Sequence, residues 1–225
     1  MTSKTDGIKR YRISDRKRRL IVRCFVVDCT AVQTAQIVGI NRNTVNRYYA
    51  LFRKILVNHA LKERRKSNLG NGIEIDESYF GPKRVKGKRG RGASKKIIVL
   101  GLLKRNGQVY TQIIPNTKRE EIMPIIRRTV KKGSDIYTDG WRSYDALAVY
   151  GYNHKKVQHD KDEFAVGETH INGVESFWSY AKRRLTKFNG IRKQDFARYM
   201  LESEWRFNHR NTMEKTLKQL LKESL

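Results

Sequence analysis

The sequence predicts a mixed α/β domain preceded by a small all-α domain, and three patterns carry that expectation. Over residues 1–70, apolar residues recur at helical spacing while basic residues outnumber acidic ones 17 to 4. From Ile73 onward, short strand-like runs alternate with helical ones, the order expected of a mixed sheet with helices packed on it. Between them, the stretch from Lys62 to Gly72 is polar and ends in Ser67-Asn68-Leu69-Gly70-Asn71-Gly72, which reads as a linker. The expected division is therefore 1–70 for the helical domain and its linker, and 71–225 for the α/β domain with its C-terminal helices.

In the first domain, Leu20, Ile21, Val22, Phe25 and Val26 give a helix one buried face. A short helix follows from Thr30 to Val38, with Thr30 as its N-cap. Gly39 can take the left-handed conformation that ends it, and Ile40 is expected to enter the core. Asn41 or Asn43 caps the next helix, expected over Thr44 to about Leu56. Two short helices, a glycine turn and an apolar residue make a helix-turn-helix. Its second helix offers Arg42, Asn43, Asn46 and Arg47 near the start, residue types suited to base edges and phosphates in a major groove. The competing reading is a plain helical hairpin with a solvated face.

In the second domain, Ile73–Phe80, Ile97–Leu103 and Gln108–Ile114 read as strands, the last two joined by a turn at Asn106-Gly107. Ile122, Ile125, Ile126 and Val130 place a helix over Lys118–Val130. A strand over Ser134–Thr138, a helix over Trp141–Tyr150 and a strand over Asn153–Gln158 follow. Helices are expected from Asn172 to Leu185 and from Lys193 to about Asn208. Between the first two strands lies a run without a single acid, containing Lys83, Arg84, Lys86, Lys88, Arg89 and Arg91. Such a run is a natural phosphate contact, or else a solvated loop.

Charge narrows the function. The 225 residues carry 49 Lys and Arg against 22 Asp and Glu, a net charge of +27. That excess repels itself in the compact state and calls for a polyanion, with a ribosomal-type RNA binder and a membrane-surface protein as the alternatives to a DNA binder. No apolar run is long enough to span a bilayer, and basic residues interrupt Met1 to Arg23 where a signal peptide needs an apolar stretch. A cytoplasmic, nucleoid-associated protein is expected. The two cysteines, Cys24 and Cys29, are too few for a four-cysteine zinc ribbon and fit buried reduced thiols. The histidines His154, His159, His170 and His209 show no strong zinc spacing, and Trp141 and Trp178 read as core.

In so basic a chain, acids at strand ends and on helix faces need a reason. Asp76 stands among apolar residues on the first strand, Asp139 follows the strand Asp135–Thr138, and Glu175 opens a helix. Ionised carboxylates are costly to bury unless paired or bound to metal. Three that converge suit hard divalent cations, and two such ions are the machinery for in-line attack at phosphorus. Thirty-five residues separate Asp139 from Glu175, and Lys182 lies seven beyond Glu175, two turns along one helix face. Among rival acids, strand alternation turns Glu77 to the opposite face. Asp135 begins its strand, Asp145 lies on the next helix, and Asp160, Asp162 and Glu168 fall in an irregular stretch.

This arrangement resembles the DDE motif of transposases and retroviral integrases. The words Ile75-Asp76-Glu77-Ser78-Tyr79-Phe80-Gly81, Thr138-Asp139-Gly140-Trp141-Arg142-Ser143-Tyr144 and His170-Ile171-Asn172-Gly173-Val174-Glu175-Ser176-Phe177-Trp178-Ser179 are similar to the ISXO-like transposase domain of small bacterial insertion sequences, over roughly residues 72–211. The resemblance implies an RNase H-like fold and a transposase that binds terminal inverted repeats. It implies cutting and strand transfer with two Mg2+ or Mn2+ ions on Asp76, Asp139 and Glu175, Lys182 beside the scissile phosphate, and a homodimer or higher oligomer on DNA. Some relatives use Asn in place of Glu. Asn172 and Glu175 both occur here, and the charge of Glu175 favours it as the ligand. Relatives often carry an N-terminal zinc ribbon, for which this chain lacks the cysteines. Two other readings stand beside it: an inactive helix-turn-helix regulator, and a structure-selective RNase H-like nuclease.

Overall fold

The computed structural model describes residues 13–66, 68–81, 96–105, 107–139, 142–157, 171–188 and 190–224. The chain forms two compact units, Met1–Leu56 with Asn211–Leu225, and Val57–Arg210.

The first unit holds α1 (Asp15–Val26), α2 (Ala31–Val38), the first part of α3 (Arg42–Lys66) and α7 (Met213–Ser224). Ser14 caps α1 through the N–H of Lys17. Thr30 and Gln33 form a reciprocal capping box at the start of α2, and Gly39 ends that helix at φ 64°, where a side chain would be strained. The Asn41 side chain accepts the N–H of Asn43 at 2.7 Å, so Asn41 rather than Asn43 caps α3. Phe25 meets Tyr49 and Phe52 edge-on, and the Thr34 and Tyr49 hydroxyls lie 2.6 Å apart in the same core. Cys24 is buried and both thiols are free; burial raises the Cys24 pKa. Helix α7, grouped with the α/β domain in the sequence reading, packs on α1, where Glu214 pairs with Arg23 at 3.6 Å.

The second unit is built on one five-stranded sheet, order β3-β2-β1-β4-β5. Its strands are β1 (Ile73–Phe80), β2 (Ile97–Lys104), β3 (Val109–Ile114), β4 (Asp135–Asp139) and β5 (Asn153–Val157). β1, β2 and β3 are antiparallel neighbours, whereas β4 runs parallel to β1 and β5 parallel to β4. Helix α4 (Arg119–Thr129) carries the chain from β3 to β4, and α5 (Asn172–Thr186) and α6 (Lys193–Asn208) follow the sheet. This is an RNase H-like mixed sheet flanked by helices.

Alternation along β1 sorts its side chains between two cores. Ile73 and Ile75 face α4, packing with Ile122, Ile126 and Tyr144. Phe80 faces α5 and α6, packing with Phe177, Trp178 and Phe196. Glu74 and Asp76 share the parity of Phe80, and Glu77 that of Ile75.

Two expectations are corrected. The stretch read as a linker from Lys62 is helical to Lys66. Arg64 there forms an ion pair with the buried Glu204 of α6 and donates to the Thr111 carbonyl of β3 at 2.8 Å, so polarity marks a docked helix end. Leu69 then bridges to Val130. The helix expected over Trp141–Tyr150 is a short 3-10 turn at Arg142–Tyr144 followed by turns. Its backbone bonds run from Leu147 to Tyr144 and from Gly151 to Ala148, the i→i+3 pattern that places Tyr144 and Leu147 together in the core.

Candidate metal centre and its supports

Asp76 is the fourth residue of β1, and Asp139 the last of β4. The parallel register pairs Ile73 with Ile136 and Glu74 with Tyr137. Each aspartate lies three residues beyond the first of those pairs, so the two stand at matching positions on adjacent strands, about 4.8 Å apart in the pairing direction. Glu175 lies in the first turn of α5, where the helix dipole favours an anion. Asp76 feels the charges of both Asp139 and Glu175. Burial raises the Asp76 carboxyl to about 6 from its ordinary 3.8, and the charges of Asp139 and Glu175 add to the rise, against lowering bonds from the Glu77 N–H and Trp178. Asp76 and Asp139 are half-buried and Glu175 is exposed.

The helix face over this site is held by two close approaches. The Trp178 indole N–H donates to Oδ2 of Asp76 at 3.1 Å. Its ring lies over Gly101 of β2, the residue paired with Asp76; a Cβ on Gly101 would come within 2.5 Å of that ring. Ile171, the N-cap of α5, gives no side-chain bond to the helix. Glu74 from β1 does that work instead. It is 1% exposed, accepts the Val174 N–H at 2.9 Å and pairs with Arg105 at 3.1 Å. A Cβ on Gly173 would lie 2.8 Å from its carboxylate, so glycine there lets the helix terminus reach the strand. The sequence reading took Trp178 as core only and passed over Glu74, Gly101 and Gly173. The available signal was an acid locked between Ile73 and Ile75.

Glu77 points to the opposite face, as alternation requires. Tyr144, fully buried, donates to it at 2.5 Å. Burial raises Glu77 to about 7 from 4.5, helped by the charges of Asp76 and Asp139 and opposed by the Tyr144 bond. Asp135 is held by Asn153 and Lys155, and Asp145 by Lys156 at 2.6 Å. Asn172 is the exposed first residue of α5. The Lys182 ammonium lies 6.0 Å from the Phe80 ring centre, on the sheet face that carries Asp76. In α3, Arg42, Asn43, Asn46 and Arg47 are all exposed while Val45 and Tyr49 are buried. Lys83, Arg84, Lys86, Lys88, Arg89 and Arg91 lie outside the described residues, as do Trp141, His159, His170, Asp160, Asp162 and Glu168.

The donor set fits a hard divalent cation: carboxylate oxygens from three elements, one of them carrying a pKa raised first by burial and then by the neighbouring acids. A stability prediction follows from the two raised carboxyls. The folded, metal-free protein holds protons on Asp76 and Glu77 that the unfolded chain has released by pH 5. These two groups therefore remove stability as pH rises from about 4 to 7. In EDTA the melting temperature of the wild type should fall relative to that of Asp76→Asn across that window, and the difference should shrink on adding Mn2+. Equal slopes for the wild type and Asp76→Asn would contradict the cause given.

A mixed sheet with acids at matched positions on β1 and β4 and a third on α5 is the arrangement the sequence leads one to expect of a DDE transposase. Residues 68–208 match the ISXO2-like transposase domain, and the chain belongs to that family. It is 46% identical over 120 residues to an uncharacterized transposase-like protein of Haemophilus influenzae, covering 52% of this chain and 97% of that protein. It is 31% identical over 150 residues to an uncharacterized protein in the transposable element ISH50 of Halobacterium salinarum, covering 59% of this chain and 51% of that one. Among solved structures, the Mos1 strand transfer complex aligns at 11% identity and a TM-score of 0.35, covering 99% of this chain and 81% of that chain. The catalytic domain of Mos1 mariner transposase aligns at 12% and 0.28, covering 77% and 91%. Among the described residues no helix is long and apolar enough to cross a membrane.

Proposed function

We propose that this transposase cuts phosphodiester bonds at the ends of its own DNA element and joins the freed 3′ ends to target DNA. Asp76, Asp139 and Glu175 hold two Mg2+ or Mn2+ ions for that chemistry. The observation that carries the reading is the placement of three acids on β1, at the end of β4 and in the first turn of α5, with Asp139 and Glu175 both acting on Asp76, inside a transposase-family domain. Bound there, the ions supply positive charge at the attacking and leaving oxygens of an in-line displacement. The rest falls to the chain. Trp178 holds Oδ2 of Asp76 and so fixes the orientation of that carboxylate. Glu74 fixes the terminus of α5 and with it Glu175. The basic surface holds the DNA phosphates. The decisive assay offers the protein a pre-cut element end with a free 3′-hydroxyl and a supercoiled plasmid. Mn2+-dependent joining of the two is expected. DNA binding with neither cutting nor joining in Mg2+ or Mn2+ would overturn the proposal.

In the same reading, the helical domain is a helix-turn-helix that docks α3 on the element end, as part of a homodimer or higher oligomer. Asn43, Asn46 and Arg47 read base edges and Arg42 holds phosphate. Asn46→Ala or Arg47→Ala should cost about 1–3 kcal/mol of binding and relax specificity at one base pair. Unchanged footprints in both variants would remove α3 from the groove. Lys83, Arg84, Lys86, Lys88, Arg89 and Arg91 are assigned to the phosphate backbone.

Lys182 has its own expected signature. It is exposed and adds little to the α5 core, and its ammonium projects on the face of Asp76. We assign it to a phosphate next to the scissile bond. Lys182→Ala should keep the melting temperature near wild type, slow cleavage and lower the salt slope of end binding by about 1. A large loss of stability with an unchanged slope would point to a structural role.

A further inference from the structure

Away from the carboxylate centre, the second unit brings His59, Glu63 and His209 together. One ligand atom from each lies within 4.8 Å of the others. His59 and Glu63 are one turn apart on α3, and His209 is the C-cap of α6. The three are partly to largely covered, with side-chain exposures of 25%, 36% and 12%.

The hydrogen bonds around them leave a specific deficit. Trp205, itself buried, donates its indole N–H to Nδ1 of His59 at 3.1 Å. An indole can only donate, so that nitrogen carries a lone pair and no proton. Yet the same Nδ1 lies 3.3 Å from Oε2 of Glu63, a second acceptor with no proton between them. The other histidine is prepared from behind. Its Nδ1 lies 2.9 Å from the Trp205 carbonyl, an acceptor, which places a proton on Nδ1 and turns Nε2 toward Glu63. Burial lowers the His209 pKa, but the bonds to Glu63 and to the Trp205 carbonyl together outweigh it and raise it, so a metal here takes the place of the Nε2 proton. That Nε2 is 3.2 Å from Oε1 of Glu63. A histidine that gives one ring N–H to a backbone carbonyl and turns the other nitrogen to a shared point is oriented as metal-bound histidines are. Its ring is also stacked on Trp205, 4.4 Å between centres. Tetrahedral zinc with bonds of about 2.0–2.2 Å sets neighbouring ligand atoms about 3.3–3.6 Å apart, close to the 3.3 and 3.2 Å from Glu63 to the two histidines.

We propose that His59, Glu63 and His209 form a second metal site, for a borderline transition ion such as Zn2+ and distinct in chemistry from the all-oxygen centre. Imidazole nitrogens select zinc-like ions, whereas Mg2+ prefers oxygen donors. The three protein ligands leave a fourth position for water. His59 is the third residue of the Val57–Arg210 unit and His209 its last but one, so the ion fastens the beginning of that unit to its end. Loading takes from Trp205 the lone pair that its N–H holds here, and the indole becomes a reporter of binding.

The test uses the full chain carrying Asp76→Ala and Asp139→Ala, so that the carboxylate centre cannot answer for it. Titration with Co2+ alone should give visible absorption bands of a four- or five-coordinate site at one equivalent, a change in tryptophan emission, and loss of the bands when Zn2+ is added. His209→Ala should abolish the bands, and Glu63→Gln should weaken Co2+ binding at least tenfold with the fold intact by circular dichroism. Trp205→Phe frees the His59 lone pair and should tighten binding about three- to tenfold. Absence of bands in the parent, or bands of equal strength in His209→Ala and Glu63→Gln, would overturn the site. Neither result touches the proposed DNA chemistry, which the joining assay tests separately.

Discussion

Asp76→Ala, Asp139→Ala and Glu175→Ala should each lower strand cleavage by at least about a thousandfold, while binding to the element ends stays within about twofold of wild type. Removing a metal-centre carboxylate takes away stabilisation of charge that develops in the transition state, worth roughly 3–4 kcal/mol or more in comparable electrostatic sites. DNA affinity comes from Lys and Arg elsewhere, and losing an acid from a +27 chain does not weaken it. Asp76→Asn should also be no less stable than wild type without metal, because burial and the neighbouring acids strain the ionised Asp76. Asp76→Asn is the sharper control, since it keeps the shape and the Trp178 bond. Quantitative cleavage of an end substrate beside filter binding at fixed salt checks both halves. An active Glu175→Ala with an inactive Asn172→Ala would move the third ligand one turn back along α5.

The second large effect belongs to Glu74. Its carboxylate is 1% exposed, caps α5 through Val174 and pairs with Arg105. Glu74→Ala leaves a helix-terminal N–H and a largely covered guanidinium without that partner, an expected loss of about 3 kcal/mol or more. Because α5 carries Glu175, cleavage should fall about a hundredfold even at temperatures where the variant is folded; small misplacements of reacting groups have that effect. Gly173→Ala tests the same contact from the other side. Its Cβ would meet Glu74 at 2.8 Å and Leu103 at 2.9 Å, so an overpacking cost of about 1–3 kcal/mol is expected. Mn2+ affinity separates positioning from stability. It should weaken in both variants and stay unchanged in a comparably destabilised core variant such as Ile122→Ala. Full cleavage by folded Glu74→Ala would show that α5 needs no such anchor.

How much of this was legible in the residues depends on whether meaning was local. β2 was readable because Ile97 to Leu103 is an unbroken apolar run, as a central strand with both faces covered demands. α2 was readable down to its caps, since Thr30, Gln33 and Gly39 act within one turn of themselves. The pattern put the three carboxylates on the first strand, after a later strand and at the start of a helix, and they lie on β1, at the end of β4 and in the first turn of α5. Glu74 was not readable. It shares a face with Asp76, and only the folded partners separate a residue taken by Arg105 and a helix terminus from one left for metal. The end of α3 was hidden for a related reason: Arg64 and Arg65 look like linker polarity until Glu204, 140 residues after Arg64, supplies the partner. His59 and His209, 150 apart in sequence, carry no spacing signal at all, although Trp205 and a turn of α3 bring them together.

The most direct measurement of the central claim is cleavage of a labelled, uncut element end by the purified chain. A nick at the element boundary that leaves a 3′-hydroxyl is expected in Mn2+, absent in EDTA and absent in Asp76→Asn, Asp139→Asn and Glu175→Gln. Cleavage in EDTA, or by any of those three variants at the wild-type rate, would contradict it.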